Sequence, residues 1–102
     1  MKPYEIIEHT ADVGLKANGL TLKELFENAA RGMFEIIGGK GYAEPVEIEK
    51  DIRIKKQVEG LEELLVDWLS ELLYLFNKER ILFRGFKILE LNNNGLTGKS
   101  SG

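Results

Sequence analysis

Residues 92–102 read NNNGLTGKSSG, and two readings of that stretch lead to two different folds. Gly98-Lys99-Ser100 is the core of a phosphate-binding loop, which would demand a strand, a glycine-rich turn and a helix in an α/β nucleotide-binding unit. Asn94-Gly95 is the strongest short hairpin signal, because both residue types tolerate positive φ, and it would demand two antiparallel strands. The loop pattern needs a glycine five residues before Gly98, but position 93 is Asn. It also needs a helix opening at Lys99-Ser100, and only two residues follow Ser100. The hairpin is therefore the reading adopted, with Leu96 and Thr97 starting a returning strand. That strand is expected to be unfinished, with an open edge of unpaired backbone groups.

Working outward, the preceding stretch ILFRGFKILEL (81–91) reads as the first arm of that hairpin, its apolar phase shifting around Gly85 as a bulge would produce. Further upstream, VEIEKDIRIKKQVE (46–59) places Val46, Ile48, Ile52, Ile54 and Val58 on one face. Lys50 and Lys56 fall on that same phase, so a strand with a turn or an end inside it is predicted. At the N-terminus, YEIIE (4–8) reads as a strand. Val13, Leu15 and Ala17 alternate with Gly14, Lys16 and Asn18 in a second, half-buried one. The polar residues His9-Thr10-Ala11-Asp12 would form the tight loop between them.

Two helices complete the pattern. Thr21 and Glu24 have the spacing of a capping box. Leu22, Leu25, Phe26, Ala29, Ala30, Met33, Phe34 and Ile37 then recur at helical intervals until Gly38-Gly39 stops them. A second helix runs from about Leu61 to Asn77, apolar over most of its circumference, with Trp68 on the core side. The fold class is thus α+β: two amphipathic helices packed on a largely antiparallel sheet.

Composition bounds what such a domain does. At 102 residues the chain makes one domain. Without cysteine it has neither a disulfide framework nor a thiolate metal site. A net charge of −3 argues against strong direct nucleic-acid binding, which calls for a basic face. No signal-peptide pattern opens the chain. The longest apolar run, LEELLVDWLSELLYLF (61–76), is too short to span a bilayer and is broken by Asp67 and Glu71, so a cytosolic protein without a membrane partner is expected.

Two regions are candidates for function. In the His9–Asp12 loop, His9 and Thr10 serve either as turn residues bonded to local backbone or as part of a site, and Asp12 serves either as a turn acceptor or as one carboxylate of a hard-cation site. On the second helix, Glu63, Asp67 and Glu71 recur at i, i+4 and i+8 beside Ser70 and Tyr74. That spacing makes either a solvated acidic stripe or a docking face for a basic partner.

YEIIEHTADVGLKANGLTLKELFENAARGMFEII (4–37) and LEELLVDWLSELLYLFNKERILFRGFKI (61–88) resemble the two signature regions of the archease family, in the right order and spacing. The resemblance implies a non-catalytic protein cofactor that activates the RtcB-type RNA ligase of transfer-RNA splicing. Such a cofactor promotes guanylylation of the ligase histidine and repeated turnover. It also implies that Asp12 is a ligand for a divalent metal, calcium or a magnesium- or manganese-like ion. The family extends several dozen residues further, with more strands and the remaining metal ligands. Residues 1–102 are therefore expected to be a single archease-like domain incomplete at its C-terminal end, with weak metal affinity. The alternatives are a chaperone-like interaction module using the apolar helix faces, or a small metal-dependent hydrolase built on His9 and Asp12.

Overall fold

Thr21 begins the helical part of the fold as the sequence predicts: its Oγ1 accepts the backbone N–H of Glu24 at 3.1 Å, satisfying one of the free donors of the first turn. The computed structural model of the chain, which describes residues 3–8, 13–38 and 48–102, orders the elements as two strands, a helix, a strand, a helix and two strands. These are β1 (Tyr4–Glu8), β2 (Val13–Ala17), α1 (Leu22–Gly38), β3 (Glu49–Lys55), α2 (Glu62–Glu79), β4 (Gly85–Asn92) and β5 (Gly95–Ser101). β1 and β2 pair antiparallel from Tyr4↔Ala17 to Glu8↔Val13. The sidedness predicted for β2 lies outside the described residues, as do Val46, Gly39 and the His9–Asp12 loop.

The second sheet has the order β3-β5-β4, antiparallel throughout, so the last strand is the central one. This corrects the expectation of an unfinished strand with an open edge. β5 is paired on both sides over its whole length, and the edges belong to β3 and β4. It also removes the nucleotide reading. Gly98, Lys99 and Ser100 lie mid-strand, opposite Ile52, Asp51 and Lys50 on one side and Ile88, Lys87 and Phe86 on the other. Their backbone groups serve the ladder and so cannot cradle a phosphate. The Ser100 hydroxyl is buried with no hydrogen-bond partner among the described residues, out of reach of a metal in solvent.

The turn sits one residue earlier than predicted. Asn92↔Gly95 is the closing pair, so Asn93-Asn94 form the two-residue tip, and Asn94 N–H donates to Asn92 Oδ1 at 2.8 Å. Gly95 carries the positive φ (146°), and a Cβ there would fall on the Ile54 carbonyl. The tip also organises the link from β3 to α2. Lys56 N–H donates to Asn94 O (3.2 Å), Val58 N–H to Asn93 O (2.8 Å), and Asn93 Nδ2 to Val58 O (3.0 Å). That explains the long apolar pattern over 46–59: β3 ends at Lys55, and Val58 is buried by the hairpin tip rather than by the ladder. Lys50, on the inward phase as read, carries its Nζ out to Glu79 Oε1 at 2.8 Å.

The strand predicted over 81–91 begins at Gly85 instead, and its irregularity lies at Leu89, not at Gly85. Ser101 pairs with Gly85, and Arg84 N–H donates to Ser101 O at 2.7 Å, which closes the pairing of β4 with β5 at that end. Ile81 and Phe83 are nevertheless buried, as core residues outside the sheet. At the bulge, Ile88 N–H donates to Glu27 Oε2 (2.8 Å) and Leu89 O accepts Lys23 Nζ (3.0 Å). α1 thereby occupies two backbone groups of an edge strand that would otherwise invite pairing.

Both helices cover one face of this sheet in a two-layer arrangement. α1 contributes Phe26, Ala29, Ala30 and Phe34; Leu22, predicted on the apolar stripe, is exposed. Asn28 is buried but satisfied, its Nδ2 donating to Asn18 O (2.8 Å) and its Oδ1 accepting from Arg31 (2.7 Å). α2 contributes Leu64, Trp68 and Leu72, all fully buried, and ends at Arg80 in the left-handed region (φ 58°), whose N–H donates to Phe76 O at 2.7 Å. The Trp68 indole N–H donates to Phe26 O at 3.0 Å, and its ring meets Phe86 edge-on at 6.4 Å.

Two substitutions test this packing by urea denaturation. Trp68→Ala is expected to lower the unfolding free energy by about 3–5 kcal/mol, the cost of a large aromatic cavity. Gly98→Ala would set a Cβ 2.8 Å from Lys87 O and 3.4 Å from Trp68 Cζ3, and is expected to cost about 1–3 kcal/mol through overpacking. An unchanged midpoint in either would remove Trp68 from the centre of the core.

Candidate functional site

The metal candidate Asp12, with His9 and Thr10, lies outside the described residues. Among the described residues, no three His, Cys, Asp or Glu side chains gather closely enough to hold a metal ion.

The second candidate is described in full. Glu63, Asp67 and Glu71 rise along one side of α2, and the structure divides them. Lys56, on the segment leaving β3, reaches Asp67 Oδ2 at 3.2 Å and Glu63 Oε2 at 3.5 Å. Glu71 is exposed and has no ion pair among the described residues. Like charges one turn apart repel, and a cation placed between the first two relieves that repulsion. The Asp67 hydrogen bond and charge raise the Lys56 ammonium above its ordinary 10.5, outweighing an opposing desolvation, with a lesser contribution from the Glu63 carboxylate. Tyr74, exposed on the same side, carries the Lys78 ammonium 5.7 Å from its ring centre. The stripe is therefore half neutralised from within, and a basic partner would meet chiefly Glu71 and the exposed parts of Glu63 and Asp67.

Two concavities were not anticipated. A cleft of about 370 Å³ opens between Tyr4 of β1, Arg31, Phe34 and Glu35 of α1, and Phe83 and Arg84 ahead of β4. A second, of about 420 Å³, lies at the hairpin end of the sheet, lined by Arg53, Lys55, Glu90, Asn92 and Thr97 among others. Arg31 and Arg84 are 53 residues apart in sequence and show no local spacing, so only the fold brings them to one cleft. Lys56 left a trace, as a charge on an apolar phase, but its partners on α2 did not.

The class these observations define is an α+β domain in which two helices cover one face of an antiparallel sheet, with an acidic outer helix face. Residues 4–102 match the model of the Archease protein family, and the chain belongs to that family. It is 48% identical over 90 residues to the protein archease of Methanosarcina acetivorans, covering 88% of this chain and 60% of that protein. It is 40% identical to the protein archease of Pyrococcus furiosus, covering 100% of this chain and 72% of that protein. The solution structure of protein 1598 of Methanobacterium thermoautotrophicum superposes with a TM-score of 0.74 at 40% identity, covering the whole of this chain and 73% of the other. The chain thus spans about 60 to 73% of the length of these relatives. Among the described residues, no helix is long and apolar enough to cross a membrane.

The Lys56 contact makes a pH prediction. A lysine held above its unfolded value contributes stability that is whole below about pH 10.5 and is lost as pH rises through the raised value. Nitrogen-detected titration of the Lys56 ammonium is expected to show a midpoint above 10.5 that Asp67→Asn moves back down. A midpoint that Asp67→Asn leaves in place would mean the contact is absent in solution.

Proposed function

We propose that this chain acts in the cytosol as the archease-type protein cofactor of an RtcB-type RNA ligase, raising the rate at which the ligase histidine is guanylylated and the enzyme turns over. The observation that carries the reading is the family match over residues 4–102, which contains the whole His9–Asp12 motif. The charge balance suits the role: at −3, the chain leaves the RNA to its partner and offers the acidic side of α2 to a basic surface on it. Glu71, which has no internal ion pair among the described residues, is the residue on that side best placed to contribute. The proposed role asks no bond-making chemistry of this chain.

A divalent cation at Asp12, calcium or a magnesium- or manganese-like ion, belongs to the same proposal. One carboxylate is a weak hard-cation site, since such ions take six or more oxygen ligands. When bound, a cation would supply positive charge near the triphosphate of the ligase substrate.

The test is GTP-dependent joining of a cleaved transfer RNA by limiting ligase, with and without this chain. Multiple turnover in its presence is expected. Asp12→Ala is expected to lower both that stimulation and calcium affinity by at least about tenfold, as loss of even an outer-sphere metal partner does. Glu71→Lys is expected to slow association with the ligase and weaken its salt dependence. A folded chain that leaves the ligase at single turnover overturns the reading for these 102 residues. Suppressed aggregation of unrelated clients, or hydrolysis of a phosphodiester by the chain alone, would point to the chaperone or hydrolase reading.

A further inference from the structure

α1 is buried on two sides, and only one of them faces the core. Phe26, Ala30 and Phe34 belong to the hydrophobic cluster shared with α2 and the three-stranded sheet. Asn28 and Gly32 are buried as well, one turn apart, and helical periodicity sets them on the reverse side of the helix. The β1–β2 hairpin lies against that side. Among the described elements, β1 and β2 touch only one another and α1, and they share no pairing with the three-stranded sheet. A two-stranded hairpin is marginal by itself, so its place in the molecule depends on what α1 offers it.

What α1 offers there is one amide. Asn28 is 5% exposed; its Nδ2 donates to Asn18 O at 2.8 Å, and its Oδ1 accepts from Arg31 Nη1 at 2.7 Å. Asn18 N–H in turn donates to Pro3 O at 2.8 Å, closing the hairpin one residue outside the Tyr4↔Ala17 pair. The clamp therefore sits at the root of the hairpin, at the end away from residues 9–12. Leucine, of similar volume, would suit the helix better, but it could neither donate to Asn18 nor accept from Arg31. Aspartate could accept from Arg31 but could not donate to a carbonyl.

We propose that Asn28 is a positioning residue, which fixes the β1–β2 hairpin on α1 and, through its two paired strands, the segment 9–12 that joins them. The anchoring stands on the contacts of Asn28 alone. Its consequence for Asp12 rests on the function proposed above.

The test is amide hydrogen exchange of the 102-residue chain, read strand by strand. Asn28→Asp and Asn28→Leu are each expected to speed exchange in β1 and β2 about tenfold, with a smaller change in β4 and β5. Gly98→Ala, which strains the core instead, is expected to change β4 and β5 at least as much as β1 and β2. Equal changes in both sheets for the Asn28 variants would make Asn28 a general packing residue and overturn the proposal. In the limiting-ligase assay, at a temperature where all variants are folded, Asn28→Asp is expected to lower stimulation severalfold more than Gly98→Ala. Full stimulation by a variant whose hairpin exchanges fast overturns the link to Asp12. A wild-type chain that gives no stimulation removes the ligase reading instead, and the exchange pattern still decides the anchoring.

Discussion

The fold is organised around one buried donor. The Trp68 side chain is fully enclosed, and its indole N–H has to find an acceptor there or lose about 1–3 kcal/mol. It finds Phe26 O in α1. A helix carbonyl has two lone pairs and can accept this bond beside its own helical one. The bond ties α2 to α1 at one depth and one rotation. The ring then dictates what the sheet beneath it can carry. Gly98 lies where a Cβ would approach Trp68 Cζ3, Ile88 Cδ1 and Lys87 O together. Phe86 meets the indole edge-on and leans on Phe34, which in turn contacts Phe83 and Phe76. The aromatic cluster therefore joins both helices to β4, and the glycine of the apparent phosphate-binding signature is present because an indole sits above it.

Much of this was legible in the sequence, for definite reasons. α1 and α2 announce themselves by an apolar period that survives any tertiary context, and Thr21 caps α1 with a side chain three residues from its target. The inward phase of β3, including the misplaced Lys50, followed from alternation. What was not legible was pairing. The position of β5 between β3 and β4 is a long-range fact: its partners are about 10 residues upstream on one side and about 45 on the other, and no local pattern encodes the second. The bulge was placed at Gly85 because glycine is the usual marker. It lies at Leu89, where Glu27 and Lys23 from α1 receive the displaced backbone groups. Those acceptors and donors are more than 60 residues away in the chain.

The candidate site divides along the same line. Asp12 is a candidate from its place in the predicted polar loop, its role as a metal ligand comes only from the family resemblance, and it lies outside the described residues. The acidic row on α2 was found through spacing alone, and spacing could not show that Lys56 already serves two of its three members. The consequence for function is specific. A stripe of three equal carboxylates would present a uniform negative edge, whereas the folded stripe is graded, with charge compensated near the helix start and uncompensated at Glu71. A basic partner would therefore be drawn towards the middle of the helix.

α2 thus divides its 18 residues between the core and an acidic side. The inward face, centred on Trp68, is committed to the core. The acidic side is partly balanced by Lys56. Between these two sides, Leu69 and Phe76 still pack against the core, while Val66 and Leu73 are exposed. Single exposed apolar side chains are ordinary on a folded surface, so the inward face and the Lys56 contacts are what fix the rotation of α2.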